Sequence, residues 1–149
     1  MFIDEKKEIL WFKNDLRITD NAILHYANKN VLPIYIFDKS ILNKLDKEDK
    51  SISFLYESVL MLKKQLKGIG LDLAIFFDEP KNIFKKLKKF GFNSILSSYN
   101  YDDYSKKMDE TIRNILPIQK FYNRFILNPN EHLKKDNTPY KVFTPFYKS

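Results

Sequence analysis

Five short apolar runs rich in β-formers alternate with segments of helical period, and this alternation restricts the fold more than any other feature. The runs lie at residues 9–12, 31–37, 73–77, 94–97 and 118–122. They are nearly continuous in apolar residues, which is typical of strands buried on both faces of a parallel sheet. Strands that alternate with helices predict an α/β fold with right-handed crossovers. We therefore expect a doubly wound, five-stranded parallel sheet in the order 3-2-1-4-5 with flanking helices.

Four segments between the runs have helical signals. The clearest is 51–67, where apolar residues recur every three or four positions before Gly68 and Gly70. The others are 20–27 with Asp20 as the N-cap, 81–90 between Pro80 and Gly91, and 104–116 before Pro117. We interpret residues 41–50 as a loop. The tail from residue 138 is too apolar for a free linker and too interrupted by proline for a regular element.

Composition narrows the class of protein. The chain has 149 residues, the size of one domain, and no cysteine, so it has neither a disulfide nor a thiolate metal site. No run approaches the ~20 apolar residues of a membrane span, and no secretory signal is present, so we expect a cytoplasmic protein without membrane contact. The net charge of +7 comes largely from lysines such as those at 85–89, which we interpret as a solvated helix face rather than a DNA-binding surface.

Polar and aromatic residues cluster after the first and fourth runs. In an open α/β sheet, ligands bind beyond the carboxyl ends of the strands where the strand order reverses, here between strands one and four. The two loops, 13–19 and 98–104, supply Asn14, Asp15, Arg17, Asn100, Asp102, Asp103 and three tyrosines. Structural roles stay open: an Asp15–Arg17 ion pair has equal weight with ligand contact, and Asn100 can close a turn.

Several catalytic motifs are absent. The first glycine is Gly68, so neither the dinucleotide-binding fingerprint nor the P-loop can follow the first strand. There is no nucleophile elbow, and neither histidine has a partner at metal-ligand spacing. We predict no catalytic residue and no metal site.

Two segments carry a resemblance to a known family. Residues 11–21, Trp-Phe-Lys-Asn-Asp-Leu-Arg-Ile-Thr-Asp-Asn, resemble the opening signature of the photolyase and cryptochrome family. Residues 140–148 are similar to its Tyr-x-Val-Phe-Thr-Pro-Phe signature. Four further segments resemble the family in the same order: 31–38, 54–66, 78–80 and 100–104 with Asp109. The resemblance covers nearly the whole chain.

The resemblance implies a Rossmann-like antenna domain, here residues 1–135, of a light-driven DNA-repair photolyase. In that family the domain can hold a folate, a deazaflavin or FMN as antenna pigment, and an empty cleft remains an alternative. Positions carried over from the family place the pigment against eight residues: Asn14, Asp15, Arg17, Phe37, Asp38, Asn100, Asp102 and Tyr104.

The resemblance also implies a partner. The catalytic FAD and the DNA-binding surface belong to a separate C-terminal helical domain, so we expect this chain to bind neither that FAD nor DNA and to be inactive alone. Residues 136–149 would begin the interdomain connection, with Phe143, Phe146 and Tyr147 packing between domains. The alternatives are a stand-alone nucleotide-binding or regulatory module of the same architecture and a truncated cryptochrome photoreceptor.

Overall fold

The computed structural model describes residues 7–28, 30–46, 49–124 and 131–148. Its five strands are β1 (Glu8–Phe12), β2 (Val31–Phe37), β3 (Ala74–Phe77), β4 (Ser94–Ser98) and β5 (Ile118–Phe121). They form one parallel sheet in the order β3-β2-β1-β4-β5. The predicted fold class and strand order are confirmed, and each strand lies within one residue of its predicted bounds.

Six helices connect or follow the strands: α1 (Ala22–His25), α2 (Lys39–Leu42), α3 (Lys50–Gly68), α4 (Pro80–Lys89), α5 (Asp103–Arg113) and α6 (Phe143–Tyr147). The four predicted helices are present, although α1 is shorter than expected. Two short helices were not predicted. α2 enters the segment that was interpreted as a loop, and α6 forms in the tail that was expected to lack a regular element.

The core has two layers, one on each face of the sheet. Alternate residues of β1 point to opposite sides, with Ile9 and Trp11 on one face and Leu10 and Phe12 on the other. The first face packs against apolar residues of α4 and α5, and the second against α1 and α3. Burial of both faces explains why the strands are continuously apolar.

Pro33 is placed where its missing N–H does the least damage. It pairs with Leu10 of β1, while the pairing of β2 with β3 begins one residue later, at Ile34 and Ala74. On its β3 side Pro33 therefore interrupts no hydrogen bond between strands, as expected for a proline near the start of a strand.

The helix termini show one confirmed stop signal and one wrong cap. After α3, Gly70 has a φ of 83° and its N–H donates to the Lys67 carbonyl, while the Leu71 N–H donates to the Leu66 carbonyl, as in a Schellman motif. At α1 the predicted cap, Asp20, is wrong. Asn21 is the N-cap, and its side-chain oxygen accepts from the Ile23 N–H at 3.1 Å, because Asp20 adopts a left-handed φ of 48°.

The tail folds back on itself in part. The His132 ring stacks on Tyr140 and meets the edge of Phe146, at centroid distances of 5.8 and 5.3 Å. Phe143 and Tyr147 are 72% and 77% exposed. Within the described ranges, no helix combines the length and apolar character needed to cross a membrane.

Candidate functional site

A cleft of about 230 Å³ opens at the carboxyl ends of β1, β2 and β4. Aromatic and aliphatic side chains form its walls, and amide, hydroxyl and carboxylate groups line the remainder. The lining includes Trp11, Phe12, Lys13, Tyr35, Ile36, Met108 and Ser105, together with five of the eight predicted contacts: Asn14, Asp38, Asn100, Asp102 and Tyr104. The two loops that were expected to converge therefore do so.

The structure places the other three predicted contacts away from this lining. Phe37 points to the opposite face of β2 and lines an apolar groove beside α3. Arg17 lines a separate polar cavity next to α1. Asp15 is buried and does not line the cleft, and its carboxylate accepts from the Lys13 backbone N–H at 3.2 Å.

Tyr104 closes one side of the cleft. Its hydroxyl donates to the Asp38 carboxylate and lies 2.7 Å from the Ser40 hydroxyl. Asp38 is also the N-cap of α2, accepting from the Ser40 N–H at 2.9 Å. Partial burial and the hydrogen bond to Asp38 raise the pKa of Tyr104. The phenol therefore links α2 to α5 across the cleft, in its neutral donor form at neutral pH.

Asn100 and Asp102 are fixed by the start of α5. Asp102 is the N-cap of that helix and accepts from the Ser105 N–H at 2.8 Å, a bond that holds the pKa of Asp102 below its usual range. Asn100 is buried, and its side-chain oxygen accepts from Arg124 at 3.3 Å. Both side chains are thus positioned before any ligand enters.

Asn123 is the centre of a buried polar layer at the ends of the strands, and together with Asn21 it lines the polar cavity next to α1 rather than the cleft. Its side-chain amide donates to Asp15 at 2.8 Å and to Asn21 at 3.0 Å, and its side-chain oxygen accepts from the Ala22 N–H at 3.0 Å. The Ser98 hydroxyl also donates to Asp15. We call Asp15, Asn21, Ser98 and Asn123 the polar floor, which joins the ends of β1, β4 and β5.

The suggested ion pair between Asp15 and Arg17 does not form. The Arg17 guanidinium instead donates to main-chain oxygens, that of Asp20 at 2.8 Å and that of Asn123 at 2.7 Å. The two residues therefore make separate contacts.

A buried charge cluster lies between β1, β5 and α5. The ammonium groups of Lys13 and Lys120 each lie 2.6 Å from a different oxygen of the Asp109 carboxylate. The three side chains are only 11%, 5% and 12% exposed, respectively. Burial and repulsion from Lys120 lower the pKa of Lys13 to about 8. The Lys13 ammonium also lies 3.8 Å from the centre of the Trp11 ring.

Sequence reasoning missed Ser40, Ser98, Lys120 and Asn123. One signal existed for Asn123, because it follows β5 as Asn14 and Asn100 follow β1 and β4. A second signal existed for Lys120, because Asp109 lies on the same helical stripe as the buried Ile112 and Leu116. A carboxylate at that position is buried against the sheet and needs a charged partner.

The chemistry of the cleft can be compared with the expected antenna pigments. Trp11, Ile36 and Met108 line the cleft with apolar groups, and Asn100 offers an amide, a combination that suits a planar heteroaromatic ring. The carboxylates of Asp38 and Asp102 disfavour a phosphate or a glutamate inside. The residues therefore fit the ring system of a folate, deazaflavin or flavin, with the charged part of the molecule outside.

Comparison with known proteins identifies the family. The DNA photolyase family profile matches residues 8–149. A deoxyribodipyrimidine photo-lyase from Alkalihalophilus pseudofirmus is 29% identical over 155 residues, which cover 94% of this chain and 32% of the relative. The chain spans about a third of the length of the curated relatives it matches.

Two solved structures share the fold. A class III photolyase from Agrobacterium tumefaciens superposes with a TM-score of 0.82 at 25% identity, over 96% of this chain and 31% of that one. A photolyase from Sulfolobus tokodaii is described with two FAD molecules and a novel light-harvesting cofactor. It superposes with a TM-score of 0.71 at 26% identity, over 95% of this chain and 34% of that one. The chain belongs to the DNA photolyase family and corresponds to its N-terminal α/β domain.

Proposed function

We propose that residues 1–135 are the light-harvesting domain of a DNA-repair photolyase and that the cleft holds the ring of an antenna pigment. The observation that carries the proposal is the cleft itself, an apolar-walled opening at the reversal of strand order in a chain of this family. The second FAD described for the Sulfolobus tokodaii relative supports a pigment role for a related domain.

Each proposed contact has a distinct task. Trp11 and Met108 exclude water from the ring, and Asn100 orients it through its amide. Tyr104 and Asp38 define the side that the ring approaches, and Asn14 and Asp102 lie at the polar part of the lining. Asp15 and Arg17 support the loop after β1 instead of touching the ligand. When bound, the pigment supplies absorption in the near ultraviolet and blue.

The remaining functions fall to a second polypeptide segment. We propose that residues 136–149 begin a connection to a helical domain that binds the catalytic FAD and DNA and splits pyrimidine dimers. The exposure of Phe143 and Tyr147 supports this, since large apolar side chains left in water commonly mark a contact surface. We place the whole protein in the cytoplasm.

Pigment binding can be tested with the purified chain. We would incubate it separately with FMN, a deazaflavin and a methenyl folate, remove free pigment by gel filtration, and record absorption in the protein fraction. Asn100→Leu should weaken binding of the retained pigment by roughly tenfold, because the ring loses a buried amide partner. Asn93→Leu, an exposed residue at the opposite end of β4, is the matched control. Adenine nucleotide binding without any pigment would favour the stand-alone nucleotide-binding module.

A second experiment tests whether dimer splitting requires a separate segment that binds FAD. We would co-express the chain with the reading frame downstream of residue 149 and assay light-dependent splitting of pyrimidine dimers. Splitting should require both segments. Activity of residues 1–149 alone would refute the proposed division, and a continuation without a flavin-binding helical domain would do the same.

A further inference from the structure

A second cavity, of about 380 Å³, lies between α5 and the carboxyl ends of β4 and β5. Three tyrosine rings form one wall. Tyr99 stacks on Tyr122 at 4.5 Å between centroids and lies parallel to Tyr101 at 6.4 Å. Partial burial, Tyr122 and Tyr99 raise the pKa of Tyr101, so its hydroxyl remains a neutral donor at neutral pH. We call this space the tyrosine cavity.

The opposite wall is charged. Lys106, Asp109, Glu110 and Arg113 line it from α5, at the three- and four-residue spacing of one helix face. Lys120 lines it from β5. Lys106 and Arg113 are exposed, so their charges are available to a ligand at the mouth. The Lys106 ammonium lies 3.8 Å from the Asp103 carboxylate.

The buried charge cluster adds to this positive field. Lys13 and Lys120 share the single carboxylate of Asp109, so the cluster carries one positive charge in excess when both lysines are protonated. Burial of that excess is costly, and an anion in the adjoining cavity would offset it. The tyrosine cavity is therefore lined by three cations and two carboxylates, with the Lys13 ammonium behind the shared carboxylate of Asp109.

The tyrosine cavity differs from the cleft described above. Lys13 lines the cleft, whereas Asp109 and Lys120 line the tyrosine cavity, so the charge cluster forms the partition between the two spaces. Of the residues that line either space, only Asn100 lines both. A ligand in one space can therefore be distinguished from a ligand in the other.

We propose that the tyrosine cavity binds a nucleotide, with its base against the tyrosine wall and its phosphate towards Lys106 and Arg113. Stacking on tyrosine accepts any base, because every base has a flat π-face, and an ammonium or guanidinium selects phosphate. The same chemistry is offered by a free mononucleotide and by one nucleotide of a single strand. The proposal stands whether or not the cleft holds a pigment.

The test uses residues 1–149 labelled with ¹⁵N and titrated with AMP. Amide signals from residues 99–101, 106–113 and 120–122 should shift in a saturable manner, with smaller changes around Asp38 and Tyr104. Adenosine and ribose 5-phosphate, which each lack one half of the recognition, should bind several-fold more weakly. A thymidine pentanucleotide forms the second arm: binding tighter than that of thymidine monophosphate identifies a single strand as the source, and equal binding identifies the free nucleotide.

Charge variants make the proposal specific. Arg113→Ala and Lys106→Ala should each weaken AMP binding by roughly 2–5-fold, the range for exposed charge contacts. Lys107→Ala removes an exposed charge from another face of the same helix and should leave the affinity unchanged. The proposal is overturned if AMP produces no saturable shifts, if the shifts centre on the cleft, or if Arg113→Ala and Lys106→Ala bind as the unaltered chain does.

Discussion

The Tyr104 hydroxyl donates a hydrogen bond to the Asp38 carboxylate although the two residues are 66 positions apart in the sequence. One follows β2 and the other opens α5, so the bond spans the entrance of the cleft. Every ligand that enters between α2 and α5 has to pass this bond or replace it.

Removal of the Tyr104 hydroxyl tests how much the bond contributes. Tyr104→Phe should lower the free energy of unfolding by about 1 kcal/mol, less than the ~1.5–3 kcal/mol of a hydrogen bond to a charged group, because the site is partly exposed. Urea denaturation followed by the fluorescence of Trp11, the single tryptophan, measures it. Tyr99→Phe is the control, since its hydroxyl bonds to no other described residue, and an equal loss in both variants would contradict the role of the bond.

A substitution in the polar floor should lower the stability of the protein more than a substitution at the entrance of the cleft. Asn123→Ala removes the buried amide that donates to Asp15 and Asn21 and leaves the Ala22 N–H without its side-chain acceptor, so we expect the free energy of unfolding to fall by about 2–3 kcal/mol. Asn114→Ala, at the exposed end of α5, should cost less than about 0.5 kcal/mol. Chemical denaturation of both variants provides the comparison. A small loss for Asn123→Ala would mean that water replaces its amide.

Lys13 should give stability an unusual dependence on pH. The unfolded lysine has a pKa of 10.5 and the folded one about 8, so between these values the unfolded chain binds more protons and stability rises with pH. Below pH 8 Lys13 is protonated in both states, and its burial lowers the free energy of unfolding by at most about 3 kcal/mol. Lys13→Met removes this buried charge. The difference in free energy of unfolding between Lys13→Met and the unaltered chain should therefore shrink from pH 8 to 10.

The stabilities of Lys13→Met and the unaltered chain should be compared only up to about pH 10. Burial raises the pKa of Tyr35 to about 12, and its contribution to stability is lost as the pH rises above the unfolded value of 10. Lys107→Met, an exposed control, should follow the pH profile of the unaltered chain. If Lys13→Met also does so, the ammonium is not held in the folded state as the geometry indicates.

Two glycines at the end of α3 should respond to alanine with opposite signs. Gly68→Ala should raise the free energy of unfolding by about 0.5–1 kcal/mol, since Gly68 is helical and no atom lies near a new Cβ. Gly70→Ala has equal space but a φ of 83°, so it should lower stability by about 1–2 kcal/mol. Thermal unfolding of both variants measures the difference, and changes of the same sign would contradict the assigned end of the helix.

The sequence was informative where burial determines structure. The first three strands were identifiable because their apolar runs are unbroken, whereas β4 and β5 include serine, glutamine and lysine and were identifiable from the alternation of strands and helices. Helix α2 was missed because four residues are too few to show a period, and it depends on the Asp38 cap. The cap of α1 was misassigned because Asp20 and Asn21 are both favourable caps, and the left-handed backbone at Asp20 decides between them.

The site was predicted in part for a similar reason. Topology brings the loops after β1 and β4 together, so Asn14, Asn100 and Tyr104 could be expected to share a cleft. The direction of each side chain is set by neighbours distant in sequence, so the packing of Phe37 beside α3 and the bond from Asn123 to Asp15 had no local signal.

Asn123 also bears on the order in which the domain forms. Its partners Asp15 and Asn21 lie more than a hundred residues earlier in the chain, with separations of 108 and 102 positions. Contacts between such distant residues form late, because the entropy of closing the loop is lost before any stabilisation is gained. During synthesis the first four strands can assemble before Asn123 arrives, so the polar floor should form last, and a ribosome stalled before this residue would display a sheet whose strand ends are not yet joined by it.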